Sequence, residues 1–106
     1  MKNKDLLKLE GDIKLIYLDM EIVRDNIDSG LSSDAIRQMR ELILKYSLLK
    51  ADSRRKRIKV TKLEIIESEI NKLIQLMNEN LCDTDYAKEI DEFIERMNAI
   101  KKNRLK

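Results

Sequence analysis

The chain has 106 residues, of which 42% are hydrophobic and 40% are charged, and its formal net charge is +2. It contains no His, one Cys and two Gly. This composition excludes a Ser–His or Cys–His nucleophile, a His-ligated metal, an intrachain disulfide and a glycine-rich phosphate loop. We therefore expect a non-enzymatic protein with no catalytic residue, no metal, no cofactor and no small-molecule substrate.

Helix one is predicted over about residues 5–27. Its apolar residues recur at spacings of three and four, which is a heptad pattern. Its members are Leu6, Leu9, Ile13, Ile16, Met20, Val23 and Ile27. A second stripe indicates that this helix packs against more than one neighbour. The stripe consists of Leu7, Leu15, Leu18 and Ile22. Gly11 interrupts the helix, and it marks either a close contact or frayed first turns.

The clearest break in the chain lies at residues 28–33, where Asp, Ser and Gly are concentrated. Gly30 suits a left-handed cap at the end of helix one, and Ser32 or Ser33 suits the N-cap of the next helix. Helix two is therefore predicted over about residues 33–52. Its apolar residues are Ile36, Met39, Leu42, Ile43, Tyr46 and Leu49.

Between Lys50 and Lys59 the apolar pattern lapses, and two interpretations are open. The favoured one is a tight turn around Asp52 and Ser53. The other is one continuous helix of about 48 residues, which would be about 72 Å long at the α-helical rise. Beyond the lapse we predict helix three over about residues 57–81 and helix four over about residues 84–102.

These elements predict an all-α fold, an antiparallel bundle of three or four helices with coiled-coil-like seams, in a single domain over residues 1–106. Residues 101–106 form a basic tail. The apolar seams are broader than one small bundle needs, so we expect self-association, most simply as a homodimer. The candidate interface residues lie on helix three and are Ile66, Ile70, Leu73 and Met77.

The charges are arranged in blocks that the small net charge hides. Residues 54–62 contain six cations and no acid, residues 82–100 contain six acids and two cations, and residues 101–106 contain four cations. An up-down-up-down bundle would bring both basic blocks to one end, which would attract an anionic partner. The candidate residues for such a partner are Arg54, Arg55, Lys56, Arg57, Lys59, Lys62, Lys101, Lys102 and Arg104.

The leading hypothesis is a small helical regulator or adaptor that contacts another protein, or itself, through its helix faces. The alternative is a nucleic-acid-binding regulator that uses the basic blocks to grip phosphates. A helix-turn-helix motif around Gly30 is a weaker version of that alternative. The sequence has no apolar stretch of membrane-spanning length and no signal-peptide pattern, and its single thiol suits a reducing interior. We therefore expect a cytoplasmic protein with no membrane partner.

Overall fold

The computed structural model describes residues 2–56, 61–81 and 86–103, which form four α-helices and, within these ranges, no strand. The helices are α1 (Lys2–Asp28), α2 (Ser32–Arg55), α3 (Thr61–Leu81) and α4 (Ala87–Asn103). The predicted all-α helical bundle is therefore confirmed. Helix α1 packs along α2, helix α3 packs along α4, and the two hairpins pack against each other through α1 with α3 and α2 with α4.

The α1–α2 connection is closed by Gly30, whose φ is 76°. Its N–H donates to the carbonyl of Ile27 at 3.1 Å, and the N–H of Leu31 donates to the carbonyl of Asn26 at 2.8 Å. This pair of bonds is a Schellman motif, and a residue without Cβ accommodates its left-handed backbone most easily. The predicted cap at Gly30 is therefore confirmed.

The predicted serine N-cap of α2 is wrong. Leu31 occupies the N-cap position, and its side chain makes no capping hydrogen bond. The carbonyl of Leu31 already accepts the N–H of Ala35 at 2.9 Å, so the helical bonding begins directly after Gly30. Ser32 and Ser33 lie inside the first turn, one and two residues past the position from which a side chain caps the helix.

Helices α1 and α2 run antiparallel and side by side. The Asp19 carboxylate lies 2.9 Å from the Lys45 ammonium, and Asp12 lines the same groove as Asp52. Each residue further toward the C-terminus of α1 therefore lies level with a residue one position further toward the N-terminus of α2. The weaker helix-turn-helix interpretation is wrong, because that motif joins two helices at about 90–120°.

The chain also reverses between α2 and α3. The Lys50 ammonium lies 2.7 Å from the Glu67 carboxylate, whereas a continuous helix would separate these residues by about 25 Å. The continuous-helix interpretation is therefore excluded. The predicted turn at Asp52 and Ser53 is also misplaced, because α2 continues to Arg55. Buried Ser53 fits inside the helix because its hydroxyl donates to the Lys50 carbonyl at 2.9 Å.

The other helix boundaries differ from the predictions by a few residues. Helix α1 begins earlier than predicted, and α4 begins at Ala87 rather than near residue 84. Residues 57–60, at the predicted start of helix three, and residues 84–85, at the predicted start of helix four, lie outside the described residues. Such small differences are normal at helix ends, where capping decides the boundary.

The core is built from the predicted heptad seams. On α1 the buried residues are Leu9, Ile13, Ile16, Met20, Val23 and Ile27. The seams of α2 and α3 are buried in the same way, and α4 contributes Ile90, Phe93 and Met97. The two largest fully buried side chains are Tyr46 and Phe93, so a core of mostly Ile, Leu and Met is centred on two aromatic rings.

Gly11 lies on the exposed side of α1, and a Cβ added there would meet no other atom within 4 Å. We expect Gly11→Ala to raise the free energy of unfolding by about 0.5–1 kcal/mol, because Ala loses less backbone entropy in a helix. Urea unfolding followed by circular dichroism measures this gain. A loss of stability would mean that Gly11 is needed for a close approach after all.

Candidate functional site

The predicted interface on α3 lies in the core of the bundle. Ile66, Ile70, Leu73 and Met77 are all buried, with at most 3% of each residue exposed. The seam that they form is the one that holds α3 against the other helices of its own chain. These four residues are therefore not accessible to a second molecule in this fold, and a contact surface must be sought elsewhere.

An apolar groove runs between α1 and α2 on the side of the first hairpin that faces away from α3 and α4. Its volume is about 740 Å³. The exposed fractions of its main apolar residues are 57% for Leu15, 55% for Leu18 and 62% for Leu48. Its complete lining is Asp12, Leu15, Ile16, Leu18, Asp19, Ile22, Lys45, Leu48, Leu49, Ala51, Asp52 and Arg55. This groove, with the neighbouring exposed Leu44, is called the outer face below.

The outer face exists because α1 carries two apolar stripes and can bury only one of them. The seam that contains Ile13, Ile16 and Val23 faces the core. At 100° per residue, Leu18 and Ile22 then project to roughly the opposite side of the helix. Large aliphatic residues remain exposed there, and a contiguous apolar patch of this kind marks an interaction surface.

The second hairpin has no comparable surface in the described residues. Its exposed large apolar residues are Ile65 on α3 and Ile94 on α4. The groove beside α3 is lined instead by polar and charged side chains, including Glu64, Glu67 and Lys101. Single exposed apolar residues are normal on a protein surface, so the outer face of the first hairpin is the distinctive one.

Charged residues line part of the groove, and its two cations, Lys45 and Arg55, each have an acidic partner. Lys45 pairs with Asp19 at 2.9 Å, and Arg55 pairs with Asp52 at 2.6 Å. The hydrogen bond to Asp19 raises the pKa of Lys45. The hydrogen bond from Arg55, together with Lys56, lowers the pKa of Asp52. The groove therefore combines aliphatic walls with two cations that are already paired with acidic residues.

The lowered pKa of Asp52 predicts an acid-sensitive end of α2. Because the folded-state pKa lies below the ordinary aspartate value of 3.8, this contribution to stability is complete above that value. It is lost as the pH falls through the folded-state pKa. We expect Asp52→Asn to flatten the acid side of the stability curve. Carboxyl chemical shifts of Asp52, followed by NMR from neutral to acidic pH, measure the shift directly, and an unshifted midpoint would contradict it.

The predicted anion-binding residues are divided by the structure. Arg54, Lys62, Lys101 and Lys102 are exposed at the end of the bundle where α2 and α4 finish and α3 begins. Arg55 and Lys56 lie at the same end and are held by Asp52, at 2.6 Å and 3.3 Å. The remaining candidates lie outside the described residues and are Arg57, Lys59 and Arg104.

The sequence pattern indicates only the α1 side of the outer face. The stripe on α1 stands out because Leu15, Leu18 and Ile22 follow helical spacing. Its counterpart on α2 is not evident from the spacing, because Leu44 and Leu48 stand directly beside Ile43 and Leu49 of the stronger seam. Plotting α2 as a helical wheel would have separated them from Ile43 and Tyr46 by more than a quarter turn.

Other types of site find little support in the described parts of the chain. Among those residues there is no cluster of three or more metal-ligating side chains. The described helices include none that combines the length and apolarity needed to cross a membrane. No protein-family model, curated protein or solved structure matches the chain. The geometry of the chain itself therefore carries the functional argument.

Proposed function

We propose that this chain is a non-enzymatic regulator or adaptor that acts by contacting a protein through the outer face of the α1–α2 hairpin. The observation that carries the proposal is the groove walled by Leu15, Leu18, Ile22 and Leu48, on a hairpin whose other side already packs the core. The expected self-association and the cytoplasmic location belong to the same proposal.

A helix is the partner element that fits such a groove. Two antiparallel helices leave a shallow trough between them, and the apolar side of an amphipathic helix fills it with residues at spacings of three and four. Burying the exposed aliphatic side chains supplies the binding free energy, at about 25 cal/mol per Å² of apolar surface. The paired charges at the border contribute to orientation more than to affinity.

A pull-down with matched variants tests this proposal. The test variant is Leu15→Glu with Leu48→Glu, which places two carboxylates in the groove. The control is Ile65→Glu with Ile94→Glu, which makes the same chemical change at two exposed positions of the second hairpin. We expect the tagged wild-type chain and the control to retain a partner, or an untagged copy, at about 0.5 M salt, where exposed charge pairs are screened.

The test variant is expected to lose that partner while its helical circular dichroism matches that of the control. The proposal is wrong if the groove substitutions change nothing. It is also wrong if all binding instead disappears when Arg54 and Lys62, which are exposed at the basic end and do not line the groove, are changed to Ala. That second outcome would assign the contact to the basic end.

Nucleic-acid binding by the basic end is the second candidate function. What favours it is the antiparallel topology, which brings the C-terminal turns of α2 and α4 to the same end as the start of α3. Exposed Arg54, Lys62, Lys101 and Lys102 could contact phosphates there. What weakens it is Asp52, whose carboxylate already holds Arg55 and Lys56.

Fluorescence anisotropy with duplex DNA and with RNA decides this second candidate. Binding carried by phosphate contacts should be strongest at about 50 mM salt and fall steeply with added salt. Changing Arg54 and Lys62 to Ala should weaken it, whereas Leu15→Glu with Leu48→Glu should leave it unchanged. No binding to either nucleic acid at low salt removes this candidate.

A further inference from the structure

The exposed apolar residues of the outer face are arranged symmetrically about one level of the hairpin. The Asp19–Lys45 pair places Leu18 of α1 level with Tyr46 of α2, because the two helices run antiparallel. On α1, Leu15 and Ile22 lie on either side of this level. On α2, Leu44 and Leu48 lie two residues before and two residues after it.

This arrangement is complementary to itself. A two-fold axis at the level of Leu18, perpendicular to the helices, lays each helix antiparallel on its own copy. Leu15 then lies within one residue of the level of Ile22 of the partner subunit, and Leu44 lies level with Leu48 of the partner subunit. Such an isologous contact uses each residue twice and closes without leaving an open end for further copies.

The charges on α1 fit the same axis. Lys14 and Glu21 are both exposed and lie seven residues apart on the flank of α1 that points away from α2, where Glu21 also lines a groove against α3. Within the described ranges neither forms an ion pair in its own chain. In the antiparallel pairing, Lys14 of each chain lies within one residue of the level of Glu21 of the partner subunit, which is within reach of a lysine side chain, so two attractive pairs form.

We infer that the occupant of the outer face is a second copy of this chain, packed across a two-fold axis at the level of Leu18 with α1 antiparallel to α1. The inference rests on the proposed function, since it uses the same face. It adds the identity of the partner and the register of the contact.

Sedimentation of the purified chain tests the second copy. Over about 1–500 µM, the range in which modest interfaces associate, the wild-type chain is expected to pass from monomer to dimer. Leu15→Glu with Leu48→Glu should remain monomeric, and Ile65→Glu with Ile94→Glu should dimerise like the wild type. A wild-type chain that stays monomeric at every concentration overturns the inference.

A charge exchange tests the register. Lys14→Glu alone, or Glu21→Lys alone, turns two attractive pairs into two repulsive ones and should raise the dimer Kd about tenfold. The double variant Lys14→Glu with Glu21→Lys restores both pairs and should return the Kd to near the wild-type value. Single variants without effect, or a double variant that is no better than either single one, would contradict the antiparallel pairing.

Disulfide trapping tests the direction independently of affinity. In a Cys82→Ser background, a mixture of the Leu15→Cys and Ile22→Cys chains should cross-link to each other, because a disulfide requires Cα atoms within about 7 Å. Each single-Cys chain alone should cross-link poorly. Efficient cross-linking of Leu15→Cys with itself would indicate parallel helices and overturn the proposed register.

These outcomes separate the inference from the proposed function. A monomeric chain that still binds another protein through Leu15 and Leu48 retains the proposed function and loses the second copy. If Leu15→Glu with Leu48→Glu changes neither dimerisation nor the binding of another protein, that result overturns both the second copy and the proposed function.

Discussion

Replacing Lys50 by Met is expected to lower the free energy of unfolding by about 3–5 kcal/mol, because it leaves a carboxylate buried without its counter-charge. Both residues are buried, since only 9% of Lys50 and 6% of Glu67 is exposed. Their charged groups lie 2.7 Å apart. The same Glu67 oxygen accepts the Tyr46 hydroxyl at 2.9 Å, but one neutral donor does not replace an ammonium.

The second part of this prediction concerns removing both charges. Lys50→Met combined with Glu67→Leu is expected to recover most of the lost stability, because replacing a whole buried ion pair by apolar side chains is often neutral. The Tyr46 hydroxyl keeps the Leu63 carbonyl as an acceptor, at 3.1 Å. Urea unfolding of the wild type, both single variants and the double variant gives the coupling energy. Additive single effects would show that the two charges do not depend on each other.

Ile70→Ala is the second large expected effect, with a loss of about 2–5 kcal/mol in the free energy of unfolding. Ile70 is fully buried, with 0% of the residue exposed. Its truncation removes apolar contacts and leaves a cavity in the core. Thermal and urea unfolding measured at a low protein concentration separate this effect from any change in association.

Ile65→Ala on the same helix is the matched control. Ile65 is 50% exposed, so losing the same atoms there leaves no enclosed cavity, and the change in stability should stay within about 1 kcal/mol. If Ile70→Ala were as mild as Ile65→Ala and weakened dimerisation instead, Ile70 would belong to an interface between chains. The core of the single chain would then be formed by another face of α3.

The fold class and most of the core follow from the periodicity of the sequence. The α1 seam from Leu9 to Ile27 and the α3 seam around Ile70 are buried as their heptad spacing predicts. Gly30 also ends α1 as its conformational freedom predicts. Both the seams and the cap depend on residues that are close together in the chain, so local spacing is sufficient to predict them.

The identity of the free surface could not be predicted from periodicity. Helices α1 and α3 both carry more apolar residues than one seam needs, and spacing does not say which stripe another helix of the same chain will cover. The spacing predicts that the α3 seam around Ile70 contacts another molecule, whereas the stripe that is exposed is the α1 stripe that contains Leu18. The choice depends on how the two hairpins pack, which involves residues distant in the sequence.

The partner of Lys50 was hidden for the same reason. Lys50 stands at the start of the segment where the apolar pattern lapses, and a lysine there is expected to reach solvent. Its burial depends on Glu67, which lies on the next helix. A long-range pair of this kind becomes visible only after the chain reversal between α2 and α3 is known.

The buried Lys50–Glu67 pair also restricts how the two hairpins can slide. Seams of Ile, Leu and Met are chemically repetitive, so a shift of one hairpin along the other by one helical turn, about 5.4 Å, would still place apolar residues against apolar residues. That shift would carry Glu67 away from Lys50 and Tyr46 and leave a buried ammonium facing aliphatic side chains. A single polar pair in an otherwise uniform core thus selects one alignment of the helices, as a buried Asn does in a coiled coil.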